Sequence, residues 1–473
     1  MNIKQDVIEV LDNYDISTTF KGRVLKEADN IQEIISDEDL VGRKDLRNKL
    51  IISIDGQDTK DIDDAISIDI NNKGNYILGV HIADVSHYVI NHSEIDKEAY
   101  YRGTSIYFLN SVIPMLPQKL SNGVCSLSEG KDRLAVSVMI EIDKNNGYIV
   151  NKEVFNSVIN VRKNLSYENV QQCIDNKKHF GKVDTKILEK ILLMNKLAII
   201  LKKKRIKNGY ISLNIPETKI ISDKNYNIFE VTKYKSYFSN EIIEQFMITA
   251  NESVAELLQG APCIYRVHPE GNYTDLLKNK TFMEITGNNV YLKNLSPHDI
   301  QRLISKYSGI KQEIISYSFL RSMNKAYYSE INIGHYGIGS NYYCHFTSPI
   351  RRYPDLVVHR ILKHYMSDKN YSSFKDLKVI AKQCSDTEEQ AKEIEREMNK
   401  LAIHSYCIKN IGMIYEGSIL KIGKERVSIK LDNTIKGYLK IKNKKSANFK
   451  LAEKIFVKIK SVSLKNGIEF ELI

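Results

Sequence analysis

No apolar run in this 473-residue sequence approaches the roughly 18 residues that a membrane-spanning helix needs, so no helical membrane protein is expected. The first residues, Met1-Asn2-Ile3-Lys4-Gln5-Asp6, have neither the basic stretch nor the apolar stretch of a secretory signal. Six cysteines (Cys125, Cys173, Cys263, Cys344, Cys384 and Cys407) are widely scattered, with no closely spaced pair. In a chain this long, that argues against a disulfide framework or a zinc ribbon and for reduced thiols in a cytoplasmic protein. A glycine-lysine phosphate loop of the Walker type is missing, so no ATP-driven helicase is indicated. There is no internal repeat, low-complexity tract or Gly/Pro/Ser linker. Tryptophan is absent; with Ile, Lys and Asn abundant, this fits an AT-rich coding bias and carries no functional reading.

What is abundant is positive charge. A formal charge of +11 and an isoelectric point near 9.0 favour a polyanionic partner, with nucleic acid ahead of an anionic membrane surface. The pattern along the chain changes three times. Residues 1–48 read as helical, with Val7, Val10, Leu11, Val24, Leu25, Ile31, Ile34 and Ile35 at helical spacing. From 49 to about 162 the apolar residues alternate in strand fashion, and from about 165 helical stripes return. A stripe from Ile187 to Ile200 ends in Lys202-Lys203-Lys204-Arg205; further helices are expected from Ser239 or Asn240 to Gly260 and after Ser385, whose spacing to Glu388 fits a capping box. The segment 411–473 reads as five short strands: Gly417–Ile422, Val427–Leu431, Gly437–Ile441, Lys454–Val462 and Gly467–Leu472. That suits a small OB-type barrel, a common module for single-stranded nucleic acid. Residues 412–473 hold 14 Lys and Arg against 6 Asp and Glu, so most of the excess charge lies there.

One stretch stands out chemically. Asp55, Asp61, Asp63 and Asp64 lie within ten residues, with Asp58 nearby, and strand-like runs flank them on both sides. Carboxylates held so close repel one another and tend to protonate unless a cation sits among them. Hard divalent ions take oxygen ligands, and Mg²⁺ in particular takes a few carboxylates plus water and substrate phosphate. A solvated acidic turn is the ordinary alternative. A calcium loop of the EF-hand type does not fit, because Gly56 directly follows the first Asp and the flanks are not helical. The loop therefore reads as a Mg²⁺ site.

A second constellation runs from His345 to Arg360: His-Phe-Thr-Ser-Pro-Ile-Arg-Arg-Tyr-Pro-Asp-Leu-Val-Val-His-Arg. Pro349 and Pro354 stiffen the backbone, and Asp355 is placed to cap a helix starting at Leu356. Arg351 and Arg352 on such a turn suit a phosphate clamp, though arginines there also pair with core carboxylates. His335, Cys344, His345 and His359 match no zinc-ligand spacing.

The run from Ile54 to Ala65, His81-Ile82-Ala83-Asp84-Val85-Ser86, Tyr107-Phe108 leading into Ile113-Pro114-Met115-Leu116-Pro117, Cys125-Ser126-Leu127, Ile333-Gly334-His335-Tyr336-Gly337 and His345 to Arg360 together resemble the signature blocks of the RNase II/RNase R family. The likeness runs, in order, from about residue 20 onward. It implies an α+β fold: an RNB catalytic domain (a mixed sheet plus helices) over 49–410, after the helical segment 1–48, then an S1-like OB barrel over 411–473. It also implies an exoribonuclease of the exoribonuclease II type, degrading single-stranded RNA processively from its 3′ end to nucleoside 5′-monophosphates. The partners expected are RNA and one or two Mg²⁺ ions, with Mn²⁺ able to substitute; a cytoplasmic monomer that needs no ATP and no membrane is expected. Asp55, Asp61, Asp63 and Asp64 fall on the family's metal-binding and catalytic aspartates, and Arg351 on the arginine that contacts the scissile phosphate. Tyr107 falls on the tyrosine that stacks near the RNA 3′ end. Arg352 and Tyr353, next along the arginine turn, are expected on the RNA. Either Glu393 or Glu395 matches a further acidic position. Two Mg²⁺ ions about 4 Å apart suit in-line phosphodiester hydrolysis, with Arg351 offsetting charge on the phosphate.

The sequence departs from the family at both ends. Relatives carry one or two cold-shock OB domains ahead of the catalytic domain, and here those modules are expected to be lacking. In the barrel, Gly423-Lys424-Glu425-Arg426-Val427 stands where relatives place aromatics, so charge rather than stacking should dominate there.

Overall fold

The computed structural model describes residues 3–176, 183–213, 215–287, 295–368, 376–441 and 449–473. Its centre is a six-stranded sheet in the spatial order Lys44–Asp45, Ile149–Ser166, Ile51–Asp55, Asp64–Ile70, Tyr76–Ala83, Asp132–Ile142. The 18-residue strand Ile149–Ser166 curls the sheet round on itself. Its first half runs antiparallel to Asp132–Ile142, and its last residues run parallel to Ile51–Asp55. Sheet pairing thus reaches back to Lys44, within the segment expected to be helical. Ile51, Ile52, Ile66, Leu78, Val80, Ile82, Val136 and Val138 are fully buried. Each contributes roughly 1.5–3 kcal/mol of apolar burial. That is why the strands hold their register up to the point where the acids begin.

Helices Thr185–Lys207 and Phe238–Leu257 pack on one another beside this sheet. Helix Tyr353–Ser367 buries ten consecutive residues, from Tyr353 to Leu362. The longest helix, Leu377–Lys409, begins eight residues before Ser385. The capping expectation for Ser385 is therefore corrected: its hydroxyl donates to the Ala381 carbonyl one turn back and accepts from the Tyr328 amide, a mid-helix arrangement.

A second apolar core joins five pieces: the N-terminal helix Ile3–Asn13, the hairpin Ile106–Phe108/Ser111–Ile113, the strand pair Thr218–Ser222/Ile228–Lys233, the long helix, and the C-terminal strands. Those strands, Ile414–Ile422, Arg426–Leu431, Lys436–Lys440, Lys454–Ser463 and Gly467–Leu472, form a closed five-stranded barrel of the OB type. Among the described residues no helix is long and apolar enough to cross a membrane.

Candidate active site

The two strands that carry the acids end at the same edge of the sheet. Asp55 is the last residue of its strand and pairs with Ser166; Asp64 is the first of the next strand and pairs with Ile82. The loop between them is tied down on both sides. Ser126 Oγ donates to the Lys60 carbonyl and accepts from the Ile62 amide, the Leu127 amide donates to the Ile62 carbonyl, and the Ala83 amide donates to the Asp63 carbonyl. Asp58 sits at the exposed tip, away from this anchoring.

Burial sets the electrostatics. Asp63 is 4% exposed; its Oδ1 accepts a 2.8 Å hydrogen bond from the Ile350 amide, and its Oδ2 lies 3.4 Å from Arg351 Nε but accepts no hydrogen bond. Burial pushes its carboxyl up to about 8, against the pull of Arg351 and the Ile350 amide. Asp55 is pushed up to about 6 by burial and by Asp61. Asp64 is raised well above the carboxylate range by burial, Asp55 and Asp63. Asp55 Oδ2 and Asp64 Oδ2, like Asp63 Oδ2, are buried without a hydrogen-bond partner. Among the described residues no three His, Cys, Asp or Glu side chains are arranged to hold a metal ion unaided. Three orphaned carboxylate oxygens on one sheet edge nonetheless fit a hard cation that completes its shell with water and phosphate, as Mg²⁺ does.

The arginine turn is fastened to the same place. Ser105 N donates to the Arg351 carbonyl, Tyr353 N to the Gly103 carbonyl, and Arg351 Nη2 to Ser348 Oγ. Gly103 has φ +64 at the end of helix Glu94–Arg102, and a Cβ there would lie 1.9 Å from Thr387 Oγ1. Only glycine allows this approach. Arg351 keeps its side chain 43% exposed, beside the acids.

Its neighbours point elsewhere, which corrects three expectations. Tyr353 is buried and its hydroxyl donates to Asp96 Oδ1 at 3.0 Å, so it is not presented to an RNA strand. Arg352 pairs with Asp355 at 2.7 Å in the interior, the core-carboxylate alternative for this arginine. Asp355 does not cap the helix, which begins at Tyr353; its Oδ1 accepts from Ser348 N and Arg352 Nη2, bracing the turn that carries Arg351.

Tyr107 stands on the hairpin at the rim. Its hydroxyl donates to Asp61 Oδ2 at 2.8 Å, its backbone amide donates to Glu395 Oε1 at 3.2 Å, and the residue is 39% exposed. Of the two candidate glutamates, it is Glu395 that reaches this hairpin. Glu393 lines a cavity between the residues that follow the N-terminal helix and the hairpin's Ile106 and Ile113. Sequence reasoning missed Tyr167. It follows directly on Ser166, the partner of Asp55, and its phenol is held protonated by burial and by the charges of Asp55 and Asp64. In a chain with 28 tyrosines no local pattern singles it out.

Comparison with known proteins places this arrangement in context. The RNB domain family matches residues 43–368. The chain is 41% identical over 437 residues to Ribonuclease R of Thermotoga maritima, covering 89% of this chain and 61% of that protein. It is 36% identical over 480 residues to Ribonuclease R 1 of Lactococcus lactis, covering 99% of this chain and 58% of that protein. The chain thus spans about three fifths of the length of these curated relatives. Among solved structures it superposes on Mycoplasma genitalium RNase R in complex with ribose methylated single-stranded RNA, with a TM-score of 0.90 and 28% identity, covering 100% of this chain and 78% of that one.

Proposed function

The chain belongs to the RNB domain family, and from that premise we propose that it is a Mg²⁺-dependent 3′→5′ exoribonuclease that hydrolyses single-stranded RNA to nucleoside 5′-monophosphates. The observation that carries this reading is the set of buried, unpartnered oxygens of Asp55, Asp63 and Asp64 beside the half-exposed Arg351. Asp55, Asp61, Asp63 and Asp64 would hold the metal. Bound there, one or two Mg²⁺ ions would supply Lewis acidity toward the phosphate and a nucleophilic water, with Mn²⁺ able to substitute. The rest of the work falls to the chain's own side chains. Asp63 Oδ1 fixes the arginine turn through the Ile350 amide, so the carboxylate cluster and Arg351 keep one geometry. Arg351 offsets charge developing on the non-bridging phosphate oxygens. Tyr107 offers a ring face for the terminal base, and its hydroxyl holds Asp61. The relative solved with single-stranded RNA supports the substrate class. We read the chain as a processive cytoplasmic monomer that needs no ATP.

One gel tests the reading. A 5′-labelled single-stranded RNA and the matching DNA are incubated with Mg²⁺ and with EDTA. The expected result is a ladder shortening from the 3′ end, for RNA only and with Mg²⁺ only. Internal cuts, DNA loss or intact RNA with Mg²⁺ would overturn it.

The hairpin gives a second expectation. Tyr107→Ala removes a stacking platform worth about 1–3 kcal/mol per base, so the final undigested fragment should lengthen by at least one nucleotide. Tyr107→Phe keeps the ring and loses only the bond to Asp61; it should leave fragment length unchanged while slowing turnover several-fold. Limit products resolved on a denaturing gel check both, and an unchanged limit product for Tyr107→Ala would remove the stacking role.

A further inference from the structure

Away from the aspartates, polar contacts add to the shared apolar core where the barrel meets the rest of the chain. Thr218 Oγ1 and Thr434 Oγ1 are hydrogen-bonded at 2.6 Å, Lys430 pairs with buried Glu313, and Lys436 Nζ lies 4.2 Å from the centre of the Tyr317 ring. These contacts wall a cavity of about 510 Å³ between the barrel and the long helix. On the helix side, Arg396, Asn399, Lys400, Ile403 and His404 follow i, i+3, i+4, i+7, i+8 spacing and so share one face.

The lining holds cations and no carboxylate. Lys430 is neutralised by Glu313, but Arg396, Lys400 and Lys436 make no ion pair among the described residues. Acids lie around it rather than in it: the charge of Glu313 is also felt at Lys436, that of exposed Glu217 at Tyr317, and the charge of Arg396 reaches Glu389. A separate observation points the same way. His404 is 5% exposed, lines the cavity, and its Nδ1 is buried without a hydrogen-bond partner. A buried polar atom left unpaired at a cationic wall is costly unless a ligand completes it. Burial holds His404 below its usual range, so the ring is neutral and offers a hydrogen bond rather than charge. Hydroxyls from Thr218 and Thr434 add further polar contacts at the rim.

We propose that this seam is a second anion site, which holds a phosphate group of a nucleotide, either within an RNA strand or as a free nucleoside monophosphate. Arg396 and Lys400 supply the charge, Lys436 closes the barrel side, and His404 supplies the directional hydrogen bond. The cavity has the volume usual for a small-ligand site. The assignment requires nothing of the aspartate cluster and stands whether or not the chain cleaves RNA.

The test uses the full chain in EDTA, so that no turnover intervenes. Binding of 5′-labelled single-stranded RNA is followed by fluorescence anisotropy across a salt series, and binding of AMP by calorimetry. The double variant Arg396→Ala/Lys400→Ala is compared with Lys73→Ala/Lys144→Ala, which removes the same charge at the far end of the central sheet. Thermal unfolding midpoints confirm that both variants fold. For a strand, the seam variant should lose about tenfold in RNA affinity and flatten the salt slope by about 0.7, the share of one phosphate, while the control does neither. For a free nucleotide, AMP binding should weaken at least tenfold in the seam variant with RNA affinity unchanged. Losses equal to those of the control, or no loss of either ligand, would overturn the site.

Discussion

Asp63→Asn should abolish hydrolysis while leaving the protein folded and able to bind RNA. The substitution keeps Oδ1, so the 2.8 Å bond from the Ile350 amide and the shape of the arginine turn survive. What changes is Oδ2, a buried carboxylate oxygen without a hydrogen bond that becomes an amide nitrogen. That nitrogen cannot ligate a cation, and it no longer offsets the charge of Arg351, 3.4 Å away. Removing one preorganised electrostatic contact to a transition state costs on the order of 10²–10³ in rate. Loss of the metal ligand adds to this, so a fall of roughly 10³-fold or more is expected. Stability should move the other way. Burial already disfavours the Asp63 charge, so the metal-free variant should unfold at the same temperature as the parent or higher. Single-turnover kinetics with saturating enzyme give the rate, and anisotropy in EDTA gives the affinity. A rate within tenfold of the parent would remove Asp63 from the chemistry.

The features legible in the sequence are those that depend on neighbours along the chain. The acids read as a loop between strands because period-two runs flank them, and the structure ends one strand at Asp55 and starts the next at Asp64. The barrel read well for the same reason. Its five strands alternate, and Gly423 and Gly467 mark two of their turns. Features set by distant partners were not legible. Tyr353 meets Asp96, 257 positions away, and nothing near Tyr353 announces it. Arg351 and Arg352 are adjacent and chemically alike, yet the turn sends one toward the acids and the other inward to Asp355. Glu393 and Glu395 differ by about 200° around a helix, so only the packing of the hairpin decides between them. Ser385 shows the converse. A Ser followed three residues later by Glu also occurs inside helices, where the hydroxyl bonds the preceding turn.

Asp84→Ala should destabilise the fold more than any substitution at the rim of the site. Asp84 is fully buried, where the family-like block His81 to Ser86 leaves the sheet. Its carboxylate takes Arg43 at 2.7 Å from the N-terminal side, Lys363 at 2.5 Å from helix Tyr353–Ser367, and the Ser86 hydroxyl at 2.9 Å. Burial alone would raise its pKa, but Lys363 and Arg43 overcome that and hold it well below the carboxylate range. A depressed pKa stabilises the fold above the unfolded value of about 3.9, and the contribution disappears as pH falls through the folded value. The wild type should therefore lose stability steeply only in strong acid. Truncation to Ala strands two cations whose side chains are 6% and 22% exposed. Breaking a buried pair in this way costs about 3–5 kcal/mol. The penalty comes from the unpaired charges rather than from lost packing, so Lys363→Met in the Asp84→Ala background should restore part of the stability. Because Ala83 N, next to Asp84, donates to the Asp63 carbonyl, the single variant should also lose RNA hydrolysis at temperatures where it is still mostly folded. Denaturant titrations of the two singles and the double separate charge from packing. A single variant within about 1 kcal/mol of the parent would show that Arg43 and Lys363 find water or other partners, and that the ion cluster does not hold the sheet to the helix.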